Sequence, residues 1–421
     1  MSVLRDRLAA RGPALVFVVS VGAANVASLL GNALAFRWVD PASMGVWHTL
    51  LLVNSYLIVV RLGLISGMGR ELPFAMGSGD VDRARRIAAT AAAYNNACSV
   101  LAALTFVALS FVFWRSGPDW RLALPAMAVI SSTNLYLSYL TATFRSDADF
   151  ARLARVYWVQ AITALFMPVA VYTFGFAGLC AHAALQALLV CGFAHVWRPF
   201  RVAPRFDPRL AGQLIATGMP LFVGGYLQTV AMGFDRVILL QRGTVETVGY
   251  YAPAIAVIHA MAIVPGALST YVYPRMSYAL GQGRKAGALG TMAFRALATS
   301  LLCGLPIAVV GWIAAPYVVT HFFPRYQPSI PAVQWSLLAG LLWSVSPAVQ
   351  ALGSLKAWRR LSLYIAVLLS ARWLFPWFLS QGSDPLGGVA RGNVWAAAVV
   401  AVAALLLVRH ATQETAAEEA A

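Results

Sequence analysis

The sequence predicts an all-α polytopic membrane protein, with about twelve transmembrane helices in two parallel-repeat six-helix lobes around a central cavity. Three observations carry that expectation. The 421-residue chain is 60% hydrophobic and only 11% charged. Soluble domains are about a quarter charged, so most of this surface must face lipid. Long apolar runs recur from end to end, and backbone groups in lipid must be satisfied internally, which makes such runs helices. Short motifs also recur at one offset of 204 residues, which points to a duplicated unit.

The spans follow in order. Arg5, Arg7 and Arg11 precede the first, 13–36. It is too long for a signal-peptide core and long enough to cross. Ala33-Leu-Ala35 resembles a cleavage site, but many more spans follow, so the run is read as a helix that stays. The second, 46–68, lies between Asp40 and Arg70. The third and fourth, 88–113 and 122–143, are separated by a loop holding Arg115 and Arg121. The fifth and sixth, 156–173 and 178–196, lie between Arg155 and Arg198 and share a tight turn. The second set is 211–234, 249–272, 290–314, 331–352, 361–380 and 389–408. The loops are short, and none could fold as a separate soluble domain. The expected divisions are a lobe over 1–200, a lobe over 201–410 and a disordered cytoplasmic tail over 411–421.

The bases divide by side. One set of loops holds 22 of the 31 lysines and arginines, the opposite set holds 6, and Arg61, Arg236 and Arg372 remain inside helices. Such a bias places the base-rich loops and both termini in the cytoplasm. It also accounts for the net charge of +16 without a nucleic-acid partner. Trp38, Trp114, Trp197, Trp312 and Trp377 fall near span ends, as an aromatic belt requires.

The repeat pairs "DPASMGVW" (40–47) with "TVETVGYY" (244–251), and "AMGSG" (75–79) with "ALGQG" (279–283). Gly45 and Gly249 are 204 residues apart, as are Gly77 and Gly281. Six helices is an even number, so the second unit keeps the orientation of the first. Parallel repeats of this kind are related by an axis along the membrane normal and bind substrate near mid-membrane. That pattern argues for a transporter.

Intramembrane charges are costly and mark candidate functional groups. Arg61 sits about 10 Å deep in the second span, at 1.5 Å per residue. Arg372 lies near the middle of the eleventh, where Pro376 is expected to bend the helix toward water. Asp235 and Arg236 interrupt the seventh. Neighbours in a helix do not face each other, so one can meet a cavity while the other meets a helix. Asn25 and Asn32 are seven apart on the first span and share a face. With Asn54 they complete the expected cavity residues. Other amides and His182, Gln186 and His259 suit interhelical glue. Asp40 and Glu246, near repeat-related positions, suit helix N-termini.

The four cysteines, Cys98, Cys180, Cys191 and Cys303, lie inside apolar runs at no metal-ligand spacing and are expected to be small buried hydrophobes. No paired carboxylates, nucleophile triad or phosphate loop stands at useful spacing. No enzyme activity, cofactor or metal is expected.

Several stretches resemble a known family. They are Pro41-Ala-Ser-Met-Gly45-Val-Trp47, Gly63-Leu-Ile-Ser-Gly67-Met-Gly69-Arg70-Glu71, Asp235-Arg236-Val-Ile-Leu, Glu246-Thr-Val-Gly249-Tyr250-Tyr251-Ala252, Pro274-Arg-Met-Ser277 and Pro324-Arg-Tyr326. Their order resembles Wzx-like lipopolysaccharide and exopolysaccharide flippases of the multidrug/oligosaccharidyl-lipid/polysaccharide exporter superfamily. The resemblance covers nearly the whole chain. It implies a central cavity lined by cationic and polar groups in a bacterial inner-membrane protein. The implied substrate is an undecaprenyl-pyrophosphate-linked oligosaccharide, moved from the cytoplasmic to the periplasmic leaflet by alternating access. Arg61, Arg236 and Arg372 are then candidate pyrophosphate ligands, and Asp235 a coupling or lobe-contact residue. Expected partners are that polyprenyl-pyrophosphate-linked glycan, membrane lipids, and polysaccharide polymerase and chain-length proteins. A monomer is expected.

The alternatives are a cation-coupled multidrug exporter of the same superfamily, and a membrane polysaccharide polymerase or glycosyltransferase. Such exporters tend to carry an acid in the first helix, and none lies between Leu15 and Phe36. A major-facilitator transporter would carry a Gly-x-x-x-Asp-Arg loop, which 69–87 lacks. A polymerase needs a long acidic or arginine-bearing periplasmic loop, and the longest here, about 315–330, has no acid.

Overall fold

A computed structural model describes residues 2–281, 286–355 and 357–418. Among them the chain is helical, with no strand. The helices are α1 (Ser2–Ala35), α2 (Pro41–Leu57), α3 (Leu64–Gly77), α4 (Val81–Val112), α5 (Pro118–Ser146), α6 (Phe150–Ala164), α7 (Met167–Trp197) and α8 (Pro208–Ala231). There follow α9 (Phe234–Arg242), α10 (Val245–Met261), α11 (Ile263–Gly281), α12 (Ala286–Phe322), α13 (Ile330–Leu342), α14 (Ser346–Ser354), α15 (Trp358–Leu379) and α16 (Pro385–Glu418). Short 3-10 turns lie at Ile58–Arg61, Pro324–Ser329 and Trp343–Val345.

Each of the twelve expected segments is mainly α-helical, with breaks inside them at 58–63, 165–166, 232–233, 262 and 343–345. Ten helical stretches among the described residues are long and apolar enough to cross a membrane. The two others have visible reasons. The expected span 122–143 is α5, whose apolar run is diluted by Ser131, Ser132, Thr133, Asn134 and Ser138. The expected span 156–173 is α6 plus the first turns of α7, broken at Leu165 and Phe166. The chain then doubles back inside the α7 range. Gly175 has φ 57° and ψ −134°, which a side-chain-bearing residue adopts only with strain. Beyond it the chain runs antiparallel to what came before. The Gln186 amide donates to the Gln160 carbonyl (3.1 Å), and His182 Nε2 lies 3.0 Å from the Thr163 carbonyl. These two side chains are interhelical glue, as their positions suggest.

The chain forms two compact units, Met1–Val39 with Thr49–Tyr226, and Asp40–His48 with Leu227–Ala421. In unit 1 the core draws Leu64, Met68 and Leu72 from α3, Ile87 from α4, Phe144 from α5 and Leu214 from α8. In unit 2, Ala396, Val400, Ala404 and Val408 recur every fourth residue along α16 and pack with Leu368 and Ala371 of α15. Lipid tails are as apolar as these side chains, so small residues that permit close backbone approach hold such helices together. Of the cysteines, Cys98, Cys180 and Cys191 are buried, while Cys303 is exposed on α12 and so departs from the buried reading. α16 continues helical to Glu418, into the tail expected to be disordered, and Arg360 forms an ion pair with Glu414 there.

The repeat is structural. α2 and α10 are each 17 residues long. Their first residues, Pro41 and Val245, and their last, Leu57 and Met261, are 204 apart. Within unit 2 the repeat glycines make a reciprocal contact. A carbon added at Gly45 would overlap the Val245 carbonyl oxygen, and one at Gly249 would overlap that of Pro41. The caps correspond as well. Asp40 receives the Ser43 backbone N–H (3.0 Å) and hydroxyl (2.8 Å) at the start of α2. Its mate at 204 is Thr244, which forms a capping box with Thr247. Glu246 lies in the first turn of α10 rather than at the cap. Partial burial pulls the Asp40 carboxyl up, but the Ser43 hydrogen bonds outweigh it and leave the group below its ordinary value. A depressed carboxylate supplies stability above its unfolded pKa and loses it as pH falls through the folded value. Asp40→Ala is therefore expected to cost about 1 kcal/mol at neutral pH. The deficit should shrink as pH falls below about 4 toward the depressed folded value, through which the wild-type acid becomes protonated. Thermal unfolding at the two pH values measures both.

Candidate functional site

Each unit carries its own polar cluster at a helix break. In unit 1 the cluster forms where the second span breaks. α2 ends at Leu57, the 3-10 turn ends at Arg61, and Leu62 adopts a left-handed conformation (φ 45°) before α3. A break in a membrane helix frees carbonyls that side chains must satisfy. Tyr94 donates its hydroxyl to the Val60 carbonyl (2.9 Å), with the Cys98 thiol at 3.4 Å. Tyr226 donates to the Tyr56 carbonyl (3.1 Å).

Arg61 sits at the end of this turn. Its Nη2 reaches the Asn134 carbonyl at 3.5 Å, a long contact, and its Nε is buried without an acceptor. Among the described residues no carboxylate lies within ion-pair distance of it. Asn54 accepts the Ser131 hydroxyl at 2.6 Å, and Asn95 donates to the Leu135 carbonyl at 3.0 Å. Both therefore tie helices together.

α1 presents three faces. Ala24, Ala27, Gly31 and Ala35 are buried and pack toward α6. Val26, Leu30 and Leu34 form an exposed apolar stripe. Asn25 and Asn32 are exposed on a different face, well turned from that stripe at about 100° per residue. They share a face as expected, and it also carries the exposed Val18, seven residues before Asn25.

In unit 2 the cluster forms at another break. α8 ends at Ala231 and α9 begins at Phe234, so Asp235 and Arg236 stand in the first turn of a new helix. Asp235 is 3% exposed and Arg372 is 1% exposed. Arg372 Nη2 lies 3.7 Å from Asp235 Oδ2, and Arg236 Nε lies 3.6 Å from Oδ1. The Arg236 backbone N–H also donates to Oδ1 (2.7 Å). Arg372 Nε donates to the Ala231 carbonyl (3.2 Å), which the broken helix leaves open, and its guanidinium lies 5.3 Å from the Trp343 ring. Arg372 Nη1 and Arg236 Nε have no hydrogen-bond acceptor. One carboxylate thus faces two guanidinium groups, and the cluster carries a surplus positive charge.

Three expected residues, Asp235, Arg236 and Arg372, therefore meet. Arg61, Asn25, Asn32 and Asn54 belong to unit 1. The expectation for Arg372 needs correction. Pro376 does not turn that helix toward water; it packs backbone to backbone against Gly392 of α16. Arg372 is consequently sealed among α8, α9, α15 and Trp343. The sequence reading missed three neighbours. Asn393 donates to the Tyr251 hydroxyl at 2.7 Å, both fully buried, and both belong to the same unit as the ion pair. Asn393 is an amide in an otherwise apolar run, which was its signal. His48 belongs to unit 2 and lies within electrostatic reach of Arg236 and His259. Among the described residues no group of three or more acids, histidines and cysteines could hold a metal ion.

Comparison with known proteins follows this geometry. Residues 81–330 match the sequence model of a family described as "Polysaccharide biosynthesis protein". The fold is similar to the inward-facing conformation of a multidrug resistance MATE family transporter of the MOP superfamily. That match has 16% identity and a TM-score of 0.76, over 95% of this chain and 98% of that one. A crystal structure of MATE in the bent conformation gives 17% identity and a TM-score of 0.63, over 98% of each chain. The outward-facing conformation of a multidrug resistance MATE family transporter gives 15% identity and 0.63, over 94% of this chain and 96% of that one. These likenesses establish the fold. No curated protein matches the chain in sequence.

Proposed function

The chain belongs to the polysaccharide biosynthesis protein family, and on that premise we propose that it flips an undecaprenyl-pyrophosphate-linked oligosaccharide. The direction is from the cytoplasmic to the periplasmic leaflet of a bacterial inner membrane, for lipopolysaccharide or exopolysaccharide assembly. Both termini are cytoplasmic in this reading, and the substrate crosses by alternating access. The family and the transporter fold support a multi-pass membrane transporter. The anionic substrate class rests on Arg61, a guanidinium at the helix break after α2 with no carboxylate partner among the described residues and one long carbonyl contact. A half-buried cation of this kind is expensive unless something pairs with it. A pyrophosphate offers paired oxygens that a guanidinium fork can take two at a time. The exposed amides Asn25 and Asn32 suit sugar hydroxyls.

Arg61→Ala is expected to lower transport at least tenfold with normal membrane expression, and Arg61→Lys to restore only part of it, because an ammonium cannot reproduce the bidentate fork. Proteoliposomes loaded with a labelled polyprenyl-pyrophosphate oligosaccharide, assayed for lectin access, measure both. Equal transport by Arg61→Ala would remove this residue from substrate binding. Loss of transport for a neutral polyprenyl glycan as well would assign Arg61 to the mechanism of motion and not to the phosphates.

The similarity to multidrug transporters supports a second reading, export of a cationic drug. The one surplus guanidinium charge in unit 2 and Arg61 in unit 1 each disfavour a cationic cargo by like-charge repulsion. Drug-dependent stimulation of ion flux in the same proteoliposomes would favour the second reading.

A further inference from the structure

A cavity opens between α12 and α16 in unit 2, away from both polar clusters. Its volume is about 510 Å³, and its lining includes Gly287, Gly290, Thr291, Arg295, Arg409 and Gln413. The two helices touch there, since a carbon added at Gly290 would stand 3.3 Å from Thr412. Glycine on α12 leaves the groove unfilled where a larger side chain would close it.

The chemistry of this groove is one-sided. Arg295 and Arg409 are both exposed, and neither forms an ion pair among the described residues. Among the described residues no acid lines the cavity. The nearest acid in sequence, Glu414, is engaged by Arg360. Arg295 lies five residues from Gly290 and Arg409 three from Thr412, so each stands within about two turns of that contact.

Below the arginines the same two helices turn apolar and outward. On α12 the exposed residues are Phe294, Leu301, Leu302 and Leu305. On α16 they are Trp395, Val399, Val402 and Leu406, one turn apart and leading up to Arg409. A paired cation with hydroxyl and amide donors at one end, and two apolar rails at the other, matches a single amphiphile. The head must be anionic and the tails must be acyl chains. A soluble phosphate would use only the upper half of this surface. Basic pockets between membrane helices on the base-rich side bind anionic headgroups in this way.

We propose that the α12–α16 groove is a binding site for an anionic phospholipid, its phosphate held by Arg295 and Arg409 and its chains laid along the exposed faces of the two helices. The site is independent of the substrate reading above, and its failure would leave that reading standing.

The test uses the full chain in nanodiscs of phosphatidylcholine containing a small fraction of spin-labelled phosphatidylglycerol. Quenching of tryptophan fluorescence, to which Trp395 on the rail contributes, reports occupancy. Wild type should show saturable quenching by the labelled phosphatidylglycerol and weak quenching by labelled phosphatidylcholine. R295Q with R409Q should raise the phosphatidylglycerol concentration for half-saturation at least tenfold. Gly290→Leu, which fills the groove without touching a charge, should do the same. Arg359→Gln, an exposed arginine outside the groove, should leave the curve unchanged. Soluble glycerol phosphate should not compete at millimolar concentration. The proposal is overturned if the double variant and Gly290→Leu both bind like wild type. It is equally overturned if Arg359→Gln weakens binding as much as the double variant does, which would mean a diffuse surface charge. Full competition by glycerol phosphate would overturn the lipid and assign the groove to a soluble phosphate.

Discussion

Asp235→Ala is expected to destabilise unit 2 by about 3–5 kcal/mol, the range found when one partner of a buried ion pair is removed. The residue is 3% exposed, and Arg372, its partner, is 1% exposed, so solvent cannot replace the lost carboxylate. In the variant, Arg372 keeps only the Ala231 carbonyl (3.2 Å) and the Trp343 ring (5.3 Å). Its Nη1 already lacks an acceptor. Arg236 loses its carboxylate as well, so two cations are left facing each other. Arg372→Met should be milder, because Asp235 retains Arg236 at 3.6 Å and the thioether can pack on Trp343. Combining Asp235→Ala with Arg372→Met should recover much of the loss, since a buried pair replaced by apolar groups is often neutral. Thermal unfolding of the three purified variants in one detergent measures this cycle. A wild-type midpoint for Asp235→Ala would show that the carboxylate is not holding α15 to α9. If the double variant were stable but inactive, the cluster would have a role in transport beyond packing.

Gly249→Val is the second large effect. The added branched side chain would drive the Pro41 carbonyl away from α10, and a single methyl already overlaps that oxygen. The obstacle is backbone, which cannot rotate aside as a side chain would. Overpacking of this kind costs roughly 1–3 kcal/mol or more. The reciprocal substitution Gly45→Val meets the Val245 carbonyl and should cost a similar amount. Both act on one contact, so the double variant should cost less than the sum of the singles. Gly22→Val on α1, with nothing within 4 Å of an added carbon, is the control and should be close to neutral. Detergent-solubilised yield and unfolding midpoint report the effect. Tolerance of Gly249→Val at wild-type midpoint would show that α2 and α10 do not approach this closely.

The helices were legible in the sequence because lipid leaves so few options. An apolar run long enough to cross has to close its own hydrogen bonds, and where a run breaks, as after Leu57, a side chain such as Tyr94 takes the freed carbonyl. The repeat was legible for a related reason. Gly45 and Gly249 recur because each must admit the other's neighbouring backbone, so the motif marks a contact and not a loose echo. The breaks within spans were harder to see. Nothing about Val59-Val60-Arg61 announces a 3-10 turn; the turn is held by Tyr94 and Cys98, more than 30 residues away. The pairing of Asp235 with Arg372 was invisible because it joins residues from separate helices. Local reasoning could only place each charge in its own span. For Arg372 it chose the wrong surroundings, since Pro376 suggested a bend and the structure uses that proline for close packing on Gly392. Arg61 was read as a deep cation and stands at a broken turn, with no carboxylate beside it among the described residues.

The central claim is that a lipid-linked, pyrophosphate-bearing glycan is the cargo. The most direct measurement uses spheroplasts with and without this protein, and scores the fraction of polyprenyl-linked oligosaccharide that an added impermeant glycosidase can cleave. The account predicts a fraction that rises with the protein and falls back with Arg61→Ala at equal expression. Equal cleavage with and without the protein, while the lipid-linked precursor is still being made, would contradict it.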